Sequence, residues 1–87
     1  MADLHLPATL LPLFDGLTRR LDVDAATVVE AIDNLDARWP GLRDRLCEPG
    51  LALRPHIHVY VDGERAGLET ALEVGSRVDV IAAISGG

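Results

Sequence analysis

Arg77-Val78-Asp79-Val80-Ile81-Ala82-Ala83-Ile84-Ser85-Gly86-Gly87 is the stretch from which the fold and the function of the chain are predicted. Two valines alternate with Arg77 and Asp79, which is the two-residue period of a strand with one buried face, and the apolar character continues to Ile84. The sequence therefore predicts a final strand that is followed by a flexible C-terminal tail at residues 84–87.

The tail has the residue types of a chain end that enters a narrow site. Ser85 is followed by Gly86 and Gly87, and glycine lets the backbone approach another surface closely because it has no Cβ atom. The four residues after Ala83 span roughly 13 Å when extended, at about 3.3 Å per residue. A terminal carboxylate has a pKa of about 3.5, so at neutral pH it is ionised and can attack the α-phosphate of ATP in a partner enzyme. An inert, frayed terminus is the other interpretation.

The composition is that of one small globular domain, which we expect to span residues 1–87. Hydrophobic residues make up 48% and charged residues 25% of the 87 residues. No apolar run has the length of a membrane span, and the N-terminus lacks a basic region followed by an apolar stretch. These features predict a cytoplasmic protein that binds no membrane.

Charge and cysteine content narrow the classes of partner and site. The net charge of −6 opposes binding to nucleic acid and favours a partner with a basic surface. All eight basic residues are arginine, so the chain has no internal lysine for self-linked chains. Cys47 is the single cysteine, which excludes an intramolecular disulfide and a cysteine-rich zinc site, and we interpret it as a partly buried small hydrophobe.

The first half of the chain predicts two strands and a helix. Apolar residues alternate with other residues at 3–6 and at 17–23, so we expect these segments to be strands that pair as a hairpin. Thr27 opens a capping-box motif, which predicts a helix that begins at Val28 and ends before Pro40.

The second half predicts further strands. Residues 56–61 alternate most clearly, and Asp62-Gly63 is typical of a tight turn into the next strand. Residues 68–76 should form a connection that is held to the core by two leucines and Val74. The order is two strands, a helix and then two or more strands, which indicates an α+β fold.

The order of these elements, the strand and turn Val59-Tyr60-Val61-Asp62-Gly63, and the ending from Val78 to Gly87 resemble the ubiquitin-like sulfur-carrier family. The resemblance covers essentially the whole chain. It implies a β-grasp (ubiquitin-like) fold, in which one main helix packs across a mixed sheet. The segment 38–46 looks like the piece after the helix in the carriers of molybdopterin and cysteine synthesis, so these two routes are favoured over thiazole synthesis.

The resemblance makes Gly87 the reacting residue. In this family a partner that resembles ubiquitin-activating enzymes uses ATP to adenylate the terminal glycine, and sulfur transfer then makes a thiocarboxylate. Gly87 would carry both groups, while Ser85 and Gly86 present it. The chain itself would be no enzyme, with no catalytic residues and no bound cofactor, and a sulfur-accepting synthase subunit would be its second partner. Ala82-Ala83 stands where the family often has a proline.

The resemblance also implies that the strand with Tyr60 lies beside the final strand. The predicted partner-binding patch on their outer face consists of His58, Tyr60, Ile81, Ala83 and Ile84. Such a patch would aim the tail at the partner's site, although isolated exposed apolar residues are also normal. His56 and His58 share a strand face, and His5 could approach from another strand, but two surface histidines lack the further ligands of a zinc site, so no metal site is predicted.

Two other classes of function stay open. In a ubiquitin-like modifier, the same Gly87 would end in an isopeptide bond to a lysine of another protein. In a non-catalytic interaction domain, the tail would be inert. Deletion of Gly86 and Gly87 separates the last class from the other two, because it should abolish only an ATP-dependent change.

Overall fold

The fold is described for residues 1–83 by a computed structural model. Residues 84–87, which hold the predicted tail and Ile84 of the predicted patch, lie outside the described residues, and the domain bounds 1–87 stay a prediction. In chain order the elements are β1 (Ala2–His5), a 3₁₀ helix (Ala8–Leu13), β2 (Arg20–Val23), α1 (Val28–Arg38), α2 (Leu42–Leu46), β3 (Cys47–Glu48), β4 (Ala52–Leu53), β5 (Ile57–Val61), β6 (Glu64–Ala66) and β7 (Arg77–Ala82).

Five strands form one mixed sheet in the order β2-β1-β7-β5-β6. β1 and β7 are parallel, with Leu4 beside Val78, and the other pairs in this sheet are antiparallel. The predicted antiparallel pairing of the first two strands is therefore confirmed. Because β1 and β7 are parallel, their carboxyl ends lie at the same edge of the sheet, where the described chain ends at Ala83.

Helix α1 begins at Val28, as predicted. The hydroxyl oxygen of Thr27 accepts a hydrogen bond from the Glu30 amide at 3.2 Å, which is an N-cap contact. The first amides of a helix have no partner within it, and the Val28 amide instead donates to the Thr70 carbonyl at 3.1 Å. The connection before β7 therefore helps to hold the start of the helix.

The apolar stripe of α1 forms a common core with one face of the sheet. Ile32 and Leu35 of the helix are buried, and so are Leu4, Val59 and Val78 of the sheet. Burial of one such side chain stabilises a fold by about 1.5–3 kcal/mol, so this core fixes the positions of β5 and β7. Among residues 1–83, none of the helices combines the length and the apolar character that crossing a membrane requires.

The connection between β6 and β7 differs in part from the prediction. Val74 does not reach the core and is 93% exposed. Leu68 and Leu72 are buried in the core, as predicted. Backbone hydrogen bonds also hold this segment, because the Leu72 amide donates to the Ala26 carbonyl at 2.8 Å and the Gly75 amide donates to the Met1 carbonyl at 3.0 Å. The pattern of apolar residues could not show these backbone contacts.

Two other elements differ from the sequence prediction. The second strand covers Arg20–Val23 rather than 17–23, since the Leu17 amide makes a turn contact to the Phe14 carbonyl at 3.3 Å. The segment after α2 contains a small two-stranded sheet of β3 and β4 that was not predicted. Neither difference changes the pairing of β5 with β7.

Candidate functional site

The face of the five-stranded sheet that points away from α1 is called here the outer face. Along β5, buried residues alternate with half-buried His58 and Tyr60, which lie on the outer face. In the antiparallel register with β7, His58 lies opposite Ile81, and Tyr60 lies opposite Asp79. The core contacts of the intervening residues therefore determine which side chains the two strands expose.

The structure brings together four residues of the predicted patch, which we call the outer patch: His58, Tyr60, Ile81 and Ala83. Ile81 is 45% exposed and is the large apolar residue of this group. The amide of Ala83 donates to the carbonyl of His56 at 2.7 Å, which extends the β5–β7 pairing to the last described residue. Residues 84–87 continue the sequence from this point. A role of the outer patch in binding a partner stays a prediction.

Arg65 joins the outer patch from β6 and was missed by the sequence analysis. Its Nη2 atom lies 2.8 Å from Nδ1 of His58, and its guanidinium carbon lies 6.0 Å from the centre of the Tyr60 ring. A guanidinium only donates hydrogen bonds, so Nδ1 of His58 is the acceptor in this contact. The two-residue turn Asp62-Gly63 could have revealed that Arg65 lies beside Tyr60, because the hairpin register places these two residues opposite each other.

Ion pairs cover the neighbouring part of the outer face. Arg20 binds both carboxylate oxygens of Asp3 at 2.9 Å, and Nε2 of His5 lies 3.0 Å from the same carboxylate. The hydrogen bonds from Arg20 and His5 hold the pKa of Asp3 below its ordinary value. On β7, Arg77 pairs with Asp79 at 3.0 Å. Fixed charges therefore lie beside the apolar Ile81 on the outer face.

The other candidate side chains are separated or buried. His5 and His58 lie on strands between which β7 runs, and residues 1–83 contain no group of three or more side chains placed to hold a metal ion. Cys47 is buried, and burial raises the pKa of its thiol despite the opposing charge of Arg43. The interpretation of Cys47 as a small hydrophobe is confirmed.

The sequence matches one protein family along nearly its whole length. The family model described as the ThiS family matches residues 5–87. This chain belongs to the ThiS family. The predicted resemblance to ubiquitin-like sulfur carriers is thereby confirmed, and the β-grasp fold is confirmed by solved structures that resemble this ThiS-family chain.

Three similar proteins show which kinds of protein the ThiS-family chain resembles. Small archaeal modifier protein 1 of Haloferax volcanii is 36% identical over 81 residues, which cover 92% of this chain and 93% of the relative. Sulfur carrier protein CysO of Mycobacterium bovis is 28% identical over 85 residues, 91% of each chain. The crystal structure of the BexX/CysO complex of Amycolatopsis orientalis contains a chain with 30% identity, a TM-score of 0.86 and 100% coverage of both chains. The relatives thus include both carrier and modifier proteins.

Proposed function

We propose that this ThiS-family chain is a sulfur carrier protein whose Gly87 carboxylate is activated and then converted to a thiocarboxylate. The observation that carries the proposal is the similarity to sulfur carrier protein CysO along almost the full length of both chains. The chain is then a substrate or small subunit of its partner enzymes, rather than an enzyme, and it binds no cofactor of its own.

The partner enzyme supplies ATP for the activation. A carboxylate oxygen of Gly87 attacks the α-phosphorus of ATP, and pyrophosphate leaves, which gives an acyl adenylate. Sulfide then attacks the acyl carbon and AMP leaves, so that sulfur takes the place of one carboxylate oxygen. Because Gly86 has no Cβ atom, the chain next to the reacting carbon is narrow enough to enter a channel in the partner.

The outer patch is the proposed contact surface for the activating partner, an enzyme that resembles ubiquitin-activating enzymes. Ile81 supplies an exposed apolar group, while His58 and Arg65 supply polar groups beside it. Backbone pairing holds Ala83 beside β5, so a partner that binds the patch also fixes the point from which residues 84–87 extend. Four residues span roughly 13 Å, which sets the depth of site that Gly87 can reach.

A second partner accepts the sulfur. CysO of Amycolatopsis orientalis forms a complex with BexX, which supports a stable partner for this chain as well. The proposed acceptor is a synthase subunit of cofactor or metabolite synthesis. The chain has the segment of α2, β3 and β4 after the main helix, which favours a molybdopterin or cysteine type of route.

A ubiquitin-like modifier is the second candidate function. The 36% identity to Small archaeal modifier protein 1 favours it, because that relative is also matched along 93% of its length. In this case the acyl adenylate of Gly87 would react with a lysine amine of another protein. The chain contains no lysine, so it could not be its own target through an internal lysine.

Intact mass measurement separates these functions. The purified protein is incubated with ATP, a sulfide source and the adenylating enzyme of its host. A thiocarboxylate adds about 16 Da, the same shift as oxidation of one methionine or cysteine, so a thiol-reactive alkylator must also trap it at Gly87. A variant that lacks Gly86 and Gly87 is the control. An adenylate or amide without sulfur would favour the modifier, and no change with a proven partner would leave only an interaction domain.

A further inference from the structure

A concave cleft lies at the sheet edge where the carboxyl ends of β1 and β7 meet the 3₁₀ helix. Its volume is about 490 Å³, and the apolar residues of its lining that are not buried include Pro7, Ala8 and Ile81, of which Ile81 is 45% exposed. Arg19, Arg20 and Arg77 also line it, so three of the eight arginines of the chain surround this one cleft. The cleft therefore combines apolar surface with guanidinium groups, and the carboxylate of Asp79 also lines it.

Two of these arginines are paired, yet they present positive charge outward. The side chain of Arg20 is 71% exposed, whereas that of its partner Asp3 is 25% exposed. The side chain of Arg77 is 59% exposed, and that of its partner Asp79 is 27% exposed. In both pairs the carboxylate lies deeper than the guanidinium, so an incoming ligand meets the guanidinium first.

The arginines keep unused hydrogen-bond donors. Arg20 and Arg77 contact their carboxylates through Nε and Nη2, and within residues 1–83 their Nη1 atoms make no hydrogen bond. The guanidinium of Arg19 makes none in the same part of the chain. Each guanidinium carries five N–H donors, and its planar fork matches a carboxylate. Pairing with Asp3 and Asp79 also holds two of the groups in place before a ligand binds.

We propose that this cleft binds an acidic segment of the activating partner whose site receives the tail, with glutamate or aspartate carboxylates on the three arginines and an apolar side chain against Ala8 and Ile81. A phosphate group alone would leave the exposed Ile81 and Ala8 uncovered, whereas a peptide supplies both kinds of contact. The net charge of −6 affects the rate of long-range association. The contact itself depends on the exposed guanidinium groups at the cleft. The inference rests on the proposed function, because Ile81 and Ala82 line the cleft just before the tail begins.

The test uses a synthetic heptapeptide of glutamate and leucine as the probe, and a second peptide in which glutamine replaces each glutamate. ¹⁵N NMR titration of the full chain should move the amide signals of Leu6, Ala8 and Ile81, and the glutamine peptide should bind at least fivefold more weakly. Arg19→Glu and Arg19→Gln should each weaken binding of the glutamate peptide. Arg45→Glu is the matched control, because Arg45 is exposed on α2 and away from the cleft.

Several results would overturn the inference: no shift at the cleft, shifts centred on another surface, or equal losses in the Arg19→Glu and Arg45→Glu variants. The titration contains no ATP, sulfide or partner enzyme. A chain that forms the thiocarboxylate but does not bind the peptide therefore contradicts only the cleft. A chain that binds the peptide but is never activated contradicts only the proposed function.

Discussion

His58 of β5 and Ile81 of β7 lie directly opposite each other on the outer face of the sheet. The neighbouring residues of both strands, Val59 and Val80, are buried in the core. A slip of one residue in the register would expose these valines to water, so the core strongly specifies the pairing. Ile81 is consequently held at the surface only two residues before the end of the described chain.

Replacement of Ile81 by aspartate should weaken binding of the adenylating partner by roughly tenfold or more, because loss of an apolar anchor in an interface costs more than about 1–2 kcal/mol. The fold should persist, since Ile81 is partly exposed. The dissociation constant of the complex is the measurement. Val74→Asp makes the same chemical change at an exposed residue before β7 and should leave that constant unchanged. Equal losses in both variants would rule out a specific contact at the outer patch.

Gly86→Val should reduce adenylate formation at least a hundredfold while binding of the partner persists, because a branched side chain would block a narrow channel. Pyrophosphate release measures adenylate formation, and the dissociation constant of the complex measures binding of the partner. Gly67→Val is the matched control: Gly67 lies in an exposed connection, and a Cβ atom there would meet no atom within 4 Å. Normal activation of the Gly86→Val variant would show that side-chain size at this position is unimportant.

Asp3→Asn should reduce stability at neutral pH but much less in acid. Arg20 and His5 lower the pKa of Asp3 in the folded chain. The carboxylate therefore stabilises the fold above its unfolded-state pKa of about 4, and this contribution disappears as the pH falls through the lower folded-state pKa. Urea unfolding at pH 7 and pH 2.5 measures the difference. Glu69→Gln, at an exposed residue, is the control, and an Asp3→Asn effect that is equal at both pH values would contradict the ion pair.

Cys47 should react slowly with a thiol reagent while the chain is folded. Burial removes access to the sulfur and raises the pKa of the thiol, so little thiolate forms at pH 7. The rate of reaction with 5,5′-dithiobis(2-nitrobenzoic acid) should rise at least tenfold in 6 M guanidinium chloride. An equally fast reaction of the folded chain would mean that Cys47 is accessible, and it would then compete in every alkylation of the tail.

The local sequence was sufficient to predict much of the fold. Thr27 identified the start of α1, and Asp62-Gly63 identified the turn between β5 and β6, because caps and two-residue turns depend on neighbouring residues. Val74 was placed wrongly because an apolar residue in a connection need not face the core. The segment around it is held by distant backbone groups, such as the Ala26 carbonyl that binds the Leu72 amide.

The sequence likewise predicted one part of the candidate site and could not predict another. The alternation of residues, together with the family resemblance, predicted that His58, Tyr60 and Ile81 share a face. The sequence could not show the cleft, because Arg19 and Arg77 are far apart in the chain and line one cleft only because β1 pairs with β2 on one side and with β7 on the other. Nor could it show that Asp3 lies deeper than Arg20, which depends on side-chain packing.

The most direct measurement uses a Cys47→Ala variant, in which no cysteine thiol competes for the alkylator. After incubation with ATP, sulfide and the activating partner, the chain is treated with iodoacetamide, and the modified residue is located by tandem mass spectrometry. A sulfur carrier should show one alkyl group, attached through sulfur at Gly87, and only when ATP is present. An unmodified Gly87, with a partner that adenylates the chain under the same conditions, would contradict the proposed sulfur transfer.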